Sequence, residues 1–599
     1  MGRKHTVGKR EPWTCPRLKR DREGTMSQDH AKKMTRRSFL AGTAGAAAIG
    51  AAALAGCTPK SSSDASADAS SGLTADIIQQ KWAFEIPPDP IADDEIANTV
   101  ESDVVIIGGG TSGLVTAARL LEAGLSVSVI AMSSGPVGRG GSIFVMGSKL
   151  MDQQNVSSDI PKAYKKMMGY HSFLIDQEKW WLHANRSREA MNWLIDLMES
   201  GNSYGGHDLR AVLEAHYEDP EDITSEYWGT HDFIGGPNAP TSTRENPQQD
   251  VVENLSAYCE KLGGDLHYSV IGEQLVRGEG QDGRVEAVVA KEGDGSYTKY
   301  VGKEAVVLAT GDFGQNEEMV HRYCPEWIWD VKGGVDTGTG HQMGLWVGAA
   351  WQKTGMAAPM VFNFQYVKIC NQVRAFQGLL LNKEGRRFSN EDNVLSHASL
   401  AALGQTDHES FAVWDTAYAA NGPWGDDYYG GPSVAGENGE AMIAAWDAMF
   451  EVSGQAIDMN GASLSVDIFK ADTIEEVAQA AGLPVEEVIA SVERYNGFCS
   501  SKVDEDFHKR EGLLLPVSTP PYYLCRCTPW FLVATGGLQT NLEMQVLDTS
   551  GAVIPGLYAV GTIVGDMYAN CYSTHFPGHN LGGNCLTFGY VAAEAIAQA

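Results

Sequence analysis

The stretch DVVIIGGGTSGLVTAARLLEAGLSVSVI, Asp103–Ile130, decides the fold. Asp103–Ile107 is a short β-branched run of the kind that forms a buried parallel strand. Glycines follow at once at Gly108, Gly110 and Gly113. Leu114–Ala123 carries apolar residues at helical spacing, and Ser126–Ile130 reads as the next strand. A strand, a GxGxxG turn, a helix and a second strand make a βαβ unit that binds a dinucleotide. Gly108 permits the tight turn, Gly110 lets the backbone approach a pyrophosphate, and Gly113 allows close helix–strand packing. Thr111 and Ser112 then stand at the helix N-terminus, which attracts an anion. One departure is visible. The second strand of such units ends in Asp or Glu for a ribose hydroxyl, whereas this chain has Ala131 followed by Met132-Ser133. The ribose contact is therefore expected from Ser133 or from backbone groups.

Working outward, Lys303–Gly314 (KEAVVLATGDFG) is a further strand entering a glycine turn, and Asp336–His341 (DTGTGH) is a second such turn. Trp351 to about Tyr522 interrupts the pattern. Within it, Ala471–Phe498 reads as two helices, the first capped by Asp472 or Thr473 and the second opened by Pro484. The glycine-rich pattern returns in Gly556–Ala597. The expected fold is α/β: a discontinuous Rossmann-like domain built from residues 81–348 and 522–599, with an α+β cap at 349–521.

The 599 residues, 43% of them apolar, are ample for more than one core. A formal net charge of −31 argues against binding a phosphate backbone, so no nucleic-acid partner is expected. Thr35–Leu40 (TRRSFL) reads as a twin-arginine export motif, and the weakly apolar Phe39–Leu54 run as the rest of a signal peptide. Leu54-Ala-Gly-Cys57 resembles a bacterial lipobox with Cys57 as the lipidated residue. The alternative is an uncleaved anchor helix. Residues 1–57 are thus expected to be a signal peptide read by the twin-arginine translocase, and 58–80 a Ser/Ala/Asp-rich tether. The expected location is the outer face of the cytoplasmic membrane. None of the ten cysteines forms Cys-x-x-Cys, so neither a c-type haem nor a ferredoxin-like cluster is indicated, and no metal centre is expected.

These segments, with Asn382–Glu391 (NKEGRRFSNE), the ADTIEEVA…VERYNGF helices and Gly556–Gly561, resemble the fumarate reductase/succinate dehydrogenase flavoprotein superfamily over roughly Ser102–Ala599. Soluble flavocytochrome c-type fumarate reductases and 3-ketosteroid dehydrogenases are the nearest in pattern. The resemblance implies FAD. It assigns cofactor contacts to Gly108, Gly110, Thr111, Ser112, Gly113, Ser133, Gly140, Gly141, Ser142, Gly311, Thr339, Thr562, Cys585 and Leu586. It also implies hydride transfer between flavin N5 and a carbon–carbon bond, with a protein group handling the proton. The family acids of the TGDG and AAGE turns are replaced by Thr339 and Thr562.

Fumarate reductases hold two carboxylates with a charged set, and that set can be followed here. Its members fall on Ala358, Cys370-Asn371, Arg374, Leu395, Val533 and Asn580, so only Arg374 is retained. A dianion needs paired cations to offset its desolvation, which argues against fumarate. Thr574–Tyr590 is closer to the ketosteroid dehydrogenases, but their ketone-polarising Tyr is Phe576 here. Arg374, Tyr572, His575 and His579 are the candidate catalytic groups. The leading expectation is an exported FAD reductase of an activated alkene, an enone or enoate, drawing electrons from a cytochrome or quinol-linked donor. The alternatives are a dehydrogenase introducing a C=C bond next to a ketone, and a flavin-binding surface lipoprotein without catalysis.

Overall fold

The β-branched run at Asp103–Ile107 is the buried end of a longer strand, β1 (Ile96–Ile107). In this computed structural model the described residues are 81–140, 142–202, 204–213, 229–235, 247–278, 283–325, 336–362, 378–392, 400–421, 439–454, 456–459, 462–465, 467–569, 572, 576 and 578–599. The expected signal peptide and tether lie outside them. After β1 come helix α1 (Thr111–Glu122) and strand β2 (Val127–Ala131), so the predicted βαβ unit is present. Two later strands join this sheet, β3 (Tyr297–Leu308) and β4 (Val553–Ala559). The chain ends in helix α2 (Cys585–Gln598).

β4, β3, β1, β2 and the strand Asp265–Tyr268 lie side by side in that order, all parallel, with Gln545–Leu547 antiparallel at the β4 edge. Ile107 stands beside Leu308 and Ile130. β3 is shared. Its C-terminal half pairs with β4, while its N-terminal half pairs with the antiparallel strand Val285–Lys291. The buried ends, Val104–Ile107 and Ala305–Leu308, are apolar on both faces, as expected for a sheet covered on both sides. α2 is buried over most of its surface and packs on α1. There the Thr116 hydroxyl donates to the Gly589 carbonyl at 3.2 Å. A segment more than 450 positions downstream thus completes the first βαβ unit.

A second, antiparallel sheet runs Leu379–Leu381, Ser410–Asp415, Tyr522–Cys527, Asp467–Ala471. Its side chains alternate between two clusters. Leu379, Leu381, Phe411, Val413 and Leu524 face the helices Ile474–Ala480 and Val485–Ser501. Leu380, Trp414, Tyr523 and Cys525 face Trp446. The predicted helix pair is observed, with Thr473 as N-cap of the first helix and Pro484 of the second. The sequence reading returned the chain to the flavin domain at residue 522. Instead, Tyr522–Cys527 is hydrogen-bonded between two strands of this second sheet. Tyr523, Leu524, Cys525 and Cys527 are buried there, so both faces of the strand are covered. The chain leaves that sheet after Cys527 and forms a ribbon, Trp530–Thr535 against Ala358–Phe362.

Candidate functional site

Gly108 has φ +125°, and a Cβ there would lie 2.1 Å from the Ala309 carbonyl oxygen. A Cβ on Gly113 would lie 2.0 Å from the Gly108 carbonyl oxygen. Both positions exclude any side chain, and the turn they form opens into a cavity of about 410 Å³, within the range of cofactor sites. Gly110 is the N-cap of α1 with no side-chain cap, so the first-turn N–H groups are available to an anion.

Of the predicted cofactor contacts, Gly108, Gly110, Thr111, Ser112, Ser133, Gly311, Thr339, Thr562 and Cys585 line this one cavity. Gly113 packs behind it, Gly140 sits against Leu581 of its wall, and Leu586 is fully buried next to Cys585. Ser142 is buried, with its backbone against Gly578 and Gly582. Gly141 lies outside the described residues. The Ser133 hydroxyl donates to the Gly135 carbonyl at 2.7 Å, leaving its oxygen as an acceptor. Ala131 and Met132 also line this end. The Thr310 hydroxyl, on the cavity wall, is buried without a partner. An orphaned hydroxyl, an uncapped helix N-terminus and glycines with no room for a Cβ fit a dinucleotide.

Sequence reading missed three charged residues. Arg139 donates to Asp336 at 2.6 Å and to Asp312 at 2.9 Å. Burial pushes the fully enclosed Asp312 carboxyl up to about 6, against the pull of Arg139. The Asp312 N–H also donates to Asp336 at 3.0 Å. The available signal was Asp312 itself, a carboxylate inside the glycine turn of KEAVVLATGDFG.

Two sequence-predicted catalytic residues, Arg374 and His575, lie outside the described residues. Tyr572 and His579 come together around Tyr568. The Tyr572 ring lies 4.6 Å from that of Tyr568, and His579 Nδ1 is 2.5 Å from the Tyr568 hydroxyl. Phe576, in place of a polarising Tyr, stacks on Phe144 at 4.8 Å. His579 is fully enclosed. Burial, reinforced by His183 and His171, holds it well below the ordinary histidine range. It is therefore a neutral imidazole at neutral pH and not a cationic acid. The loop entering this cluster is fastened at Asp566: its carbonyl accepts from Asp176 N–H at 2.7 Å, and its carboxylate from Lys353 N–H at 2.8 Å. Ala358 and Val533, at two of the lost anchor positions, lie two pairing steps apart on the same ribbon and are both fully buried.

The FAD binding domain family model matches residues 103–586, and the chain belongs to that family. It is an FAD-dependent oxidoreductase acting on carbon–carbon bonds. The chain is 28% identical to the vinyl phenol reductase of Lactiplantibacillus plantarum, over 80% of this chain and 93% of that one. It is 24% identical to the digoxin reductase of Eggerthella lenta, over 89% and 91%. Among solved structures it resembles the 3-ketosteroid Δ1-dehydrogenase of Sterolibacterium denitrificans with TM-score 0.64 and 18% identity, covering 83% of this chain and 99% of the other. That likeness concerns the fold.

Proposed function

We propose that this protein reduces the activated C=C bond of an enone or enoate and does not act on fumarate. The observation that carries the reading is the apolar ribbon. Ala358 and Val533 bury methyl groups where a dicarboxylate would need cations, and Asn580 is neutral. A dianion placed there would be desolvated without compensation. The similarity to reductases of a vinyl phenol and of digoxin supports the same class.

Bound FAD supplies the hydride-transferring ring. The chain's own groups do the rest. The α1 N-terminus and the Gly108–Gly113 turn hold the cofactor's phosphates. The ribbon and the Phe144–Phe576 stack exclude water. Tyr572, whose ring lies 4.6 Å from that of Tyr568 beside His579, is the described hydroxyl-bearing candidate for delivering the proton. Electrons come from a separate cytochrome or quinol-linked donor. Export through the Arg36-Arg37 signal and tethering at Cys57 would put the enzyme on the outer face of the membrane.

The test is anaerobic. The purified flavoprotein is bleached with dithionite and offered enones, enoates and fumarate. Return of the oxidised flavin spectrum with an enone or enoate supports the reading, and failure of every such alkene refutes it.

A further inference from the structure

Asp250 and Glu253 stand three positions apart on the helix Pro247–Lys261, so their carboxylates share one face. His207 reaches over that face from the turn before the strand Leu209–Leu213. Its Nδ1 lies 3.4 Å from Asp250 Oδ1, and its Nε2 pairs with Glu253 Oε2. One ligand atom from each of the three residues lies within 4.8 Å of the other two, the one such His/Cys/Asp/Glu group among the described residues. Ligands held at about 2.0–2.1 Å by a tetrahedral zinc stand about 3.3–3.4 Å from one another. The His207–Asp250 separation is that of such an edge.

Groups outside the three side chains hold this approach in place. The turn is pressed onto the helix at Gly205, where a Cβ would lie 2.6 Å from the Glu253 carbonyl carbon. Asn254, buried on the helix, ties the turn at two points. Its Oδ1 accepts from the Gly205 N–H at 2.7 Å, and its Nδ2 donates to the His207 carbonyl at 2.9 Å. Gln249 Nε2 donates to Glu253 Oε1 at 2.9 Å, so the other oxygen of that carboxylate is the one turned to His207. Outer partners of this kind orient metal ligands. All three side chains are partly exposed, which gives an ion a way in and a place for a water ligand. One imidazole and two carboxylates suit a first-row divalent ion such as zinc, whereas magnesium and calcium take oxygen ligands alone.

We propose that His207, Asp250 and Glu253 bind one divalent transition-metal ion, zinc by preference, which clamps the 205–207 turn to the helix Pro247–Lys261. The ion replaces the His207–Glu253 hydrogen bond as the link between them. Its role is structural, since none of the three residues lines the cofactor cavity. The same helix carries Gln249, which accepts from the Gly138 N–H at 2.9 Å and donates to the Pro136 carbonyl at 3.0 Å, on either side of the cavity residue Val137. The sequence expectation of no metal centre rested on cysteine spacing, which is blind to a set built from His and carboxylates up to 46 positions apart. The inference goes beyond the proposed reaction and does not depend on the substrate.

The experiment is calorimetric titration of zinc chloride into the tag-free, chelator-treated holoprotein, with Tm read in parallel. Wild type binds one equivalent, gains Tm, and keeps the ion in excess magnesium. His207→Ala, Asp250→Asn and Glu253→Gln each weaken binding at least about tenfold, the smallest loss expected even for an outer partner of a metal ligand, and abolish the gain in Tm. His267→Ala is the control, because its ring also faces a carboxylate, Asp265 at 2.8 Å, and it leaves binding unchanged. The absence of saturable binding by wild type would overturn the proposal. So would binding that survives the three variants, as zinc held by the thiols would. If one variant purifies without flavin, the other two decide by the same criterion.

Discussion

At Gly113 the distance between the helix and the glycine turn is set by the absence of a single methyl group. Gly113→Ala places a carbon 2.0 Å from the Gly108 carbonyl oxygen, so α1 must move off the strand. A cost of about 2–3 kcal/mol is expected, together with loss of bound FAD, and the flavin absorbance of the purified variant checks it. His341 makes a different prediction. Burial lowers it to about 4, and its Nε2 lies 3.1 Å from the Gly536 carbonyl. Its folded value lies below its unfolded one, so its contribution to stability is complete above about pH 6.5 and is lost as pH falls toward 4. By pH 5 the loss is about 2 kcal/mol. Denaturant titrations at pH 7 and pH 5 should show that His341→Gln shrinks the pH-dependent drop by that amount. The glycines were legible in the sequence because their GxGxxG spacing between a strand and a helix is a local pattern. Arg139 was not, because its partners Asp312 and Asp336 come from turns 173 and 197 positions away, which no local pattern connects.

The second sheet shows what a short element can hide. Its NKEGRRFSNE segment carries Arg387, which donates to Glu391 at 2.7 Å and to Asp504 at 2.8 Å. Lys509 lies 3.5 Å from the same Glu391, and all four side chains are almost fully buried. Burial opposes ionisation of Asp504, but Arg387 and the Lys509 N–H hold it down to about 2. Glu391→Gln leaves two buried cations short of an anion. We expect about 3–5 kcal/mol of destabilisation, nearly independent of salt, read as faster proteolysis in and around Asn382–Asp392. The paired helices were legible from their caps, Thr473 and Pro484. Tyr522–Cys527 was misplaced because a strand buried on both faces carries no sign of which sheet it belongs to. That assignment is made by its hydrogen bonds to Ser410–Asp415 and Asp467–Ala471.

For the molecule as a whole, two segments far apart in sequence build one cofactor site, since α2 packs on α1 and Thr562, Leu581 and Cys585 close the cavity opened by Gly108–Ser112. Glycine patterns reveal that pairing, and with it the FAD. The proposed substrate class rests on replacements: apolar side chains at Ala358 and Val533, and a ring without a hydroxyl at Phe576. Location is a separate matter. Cys57→Ser should release the protein from the membrane fraction if Cys57 is the lipid anchor, and retention would argue against a lipid tether there. The central claim is that the site takes an activated alkene without the paired carboxylates of fumarate. The most direct test is kcat/KM under anaerobic conditions, with one artificial electron donor, for an enone or a monocarboxylate enoate against fumarate. The account predicts turnover of the enone or enoate at least about a hundredfold above fumarate, equivalent to about 2.7 kcal/mol of transition-state stabilisation. Equal or greater efficiency on fumarate would contradict it.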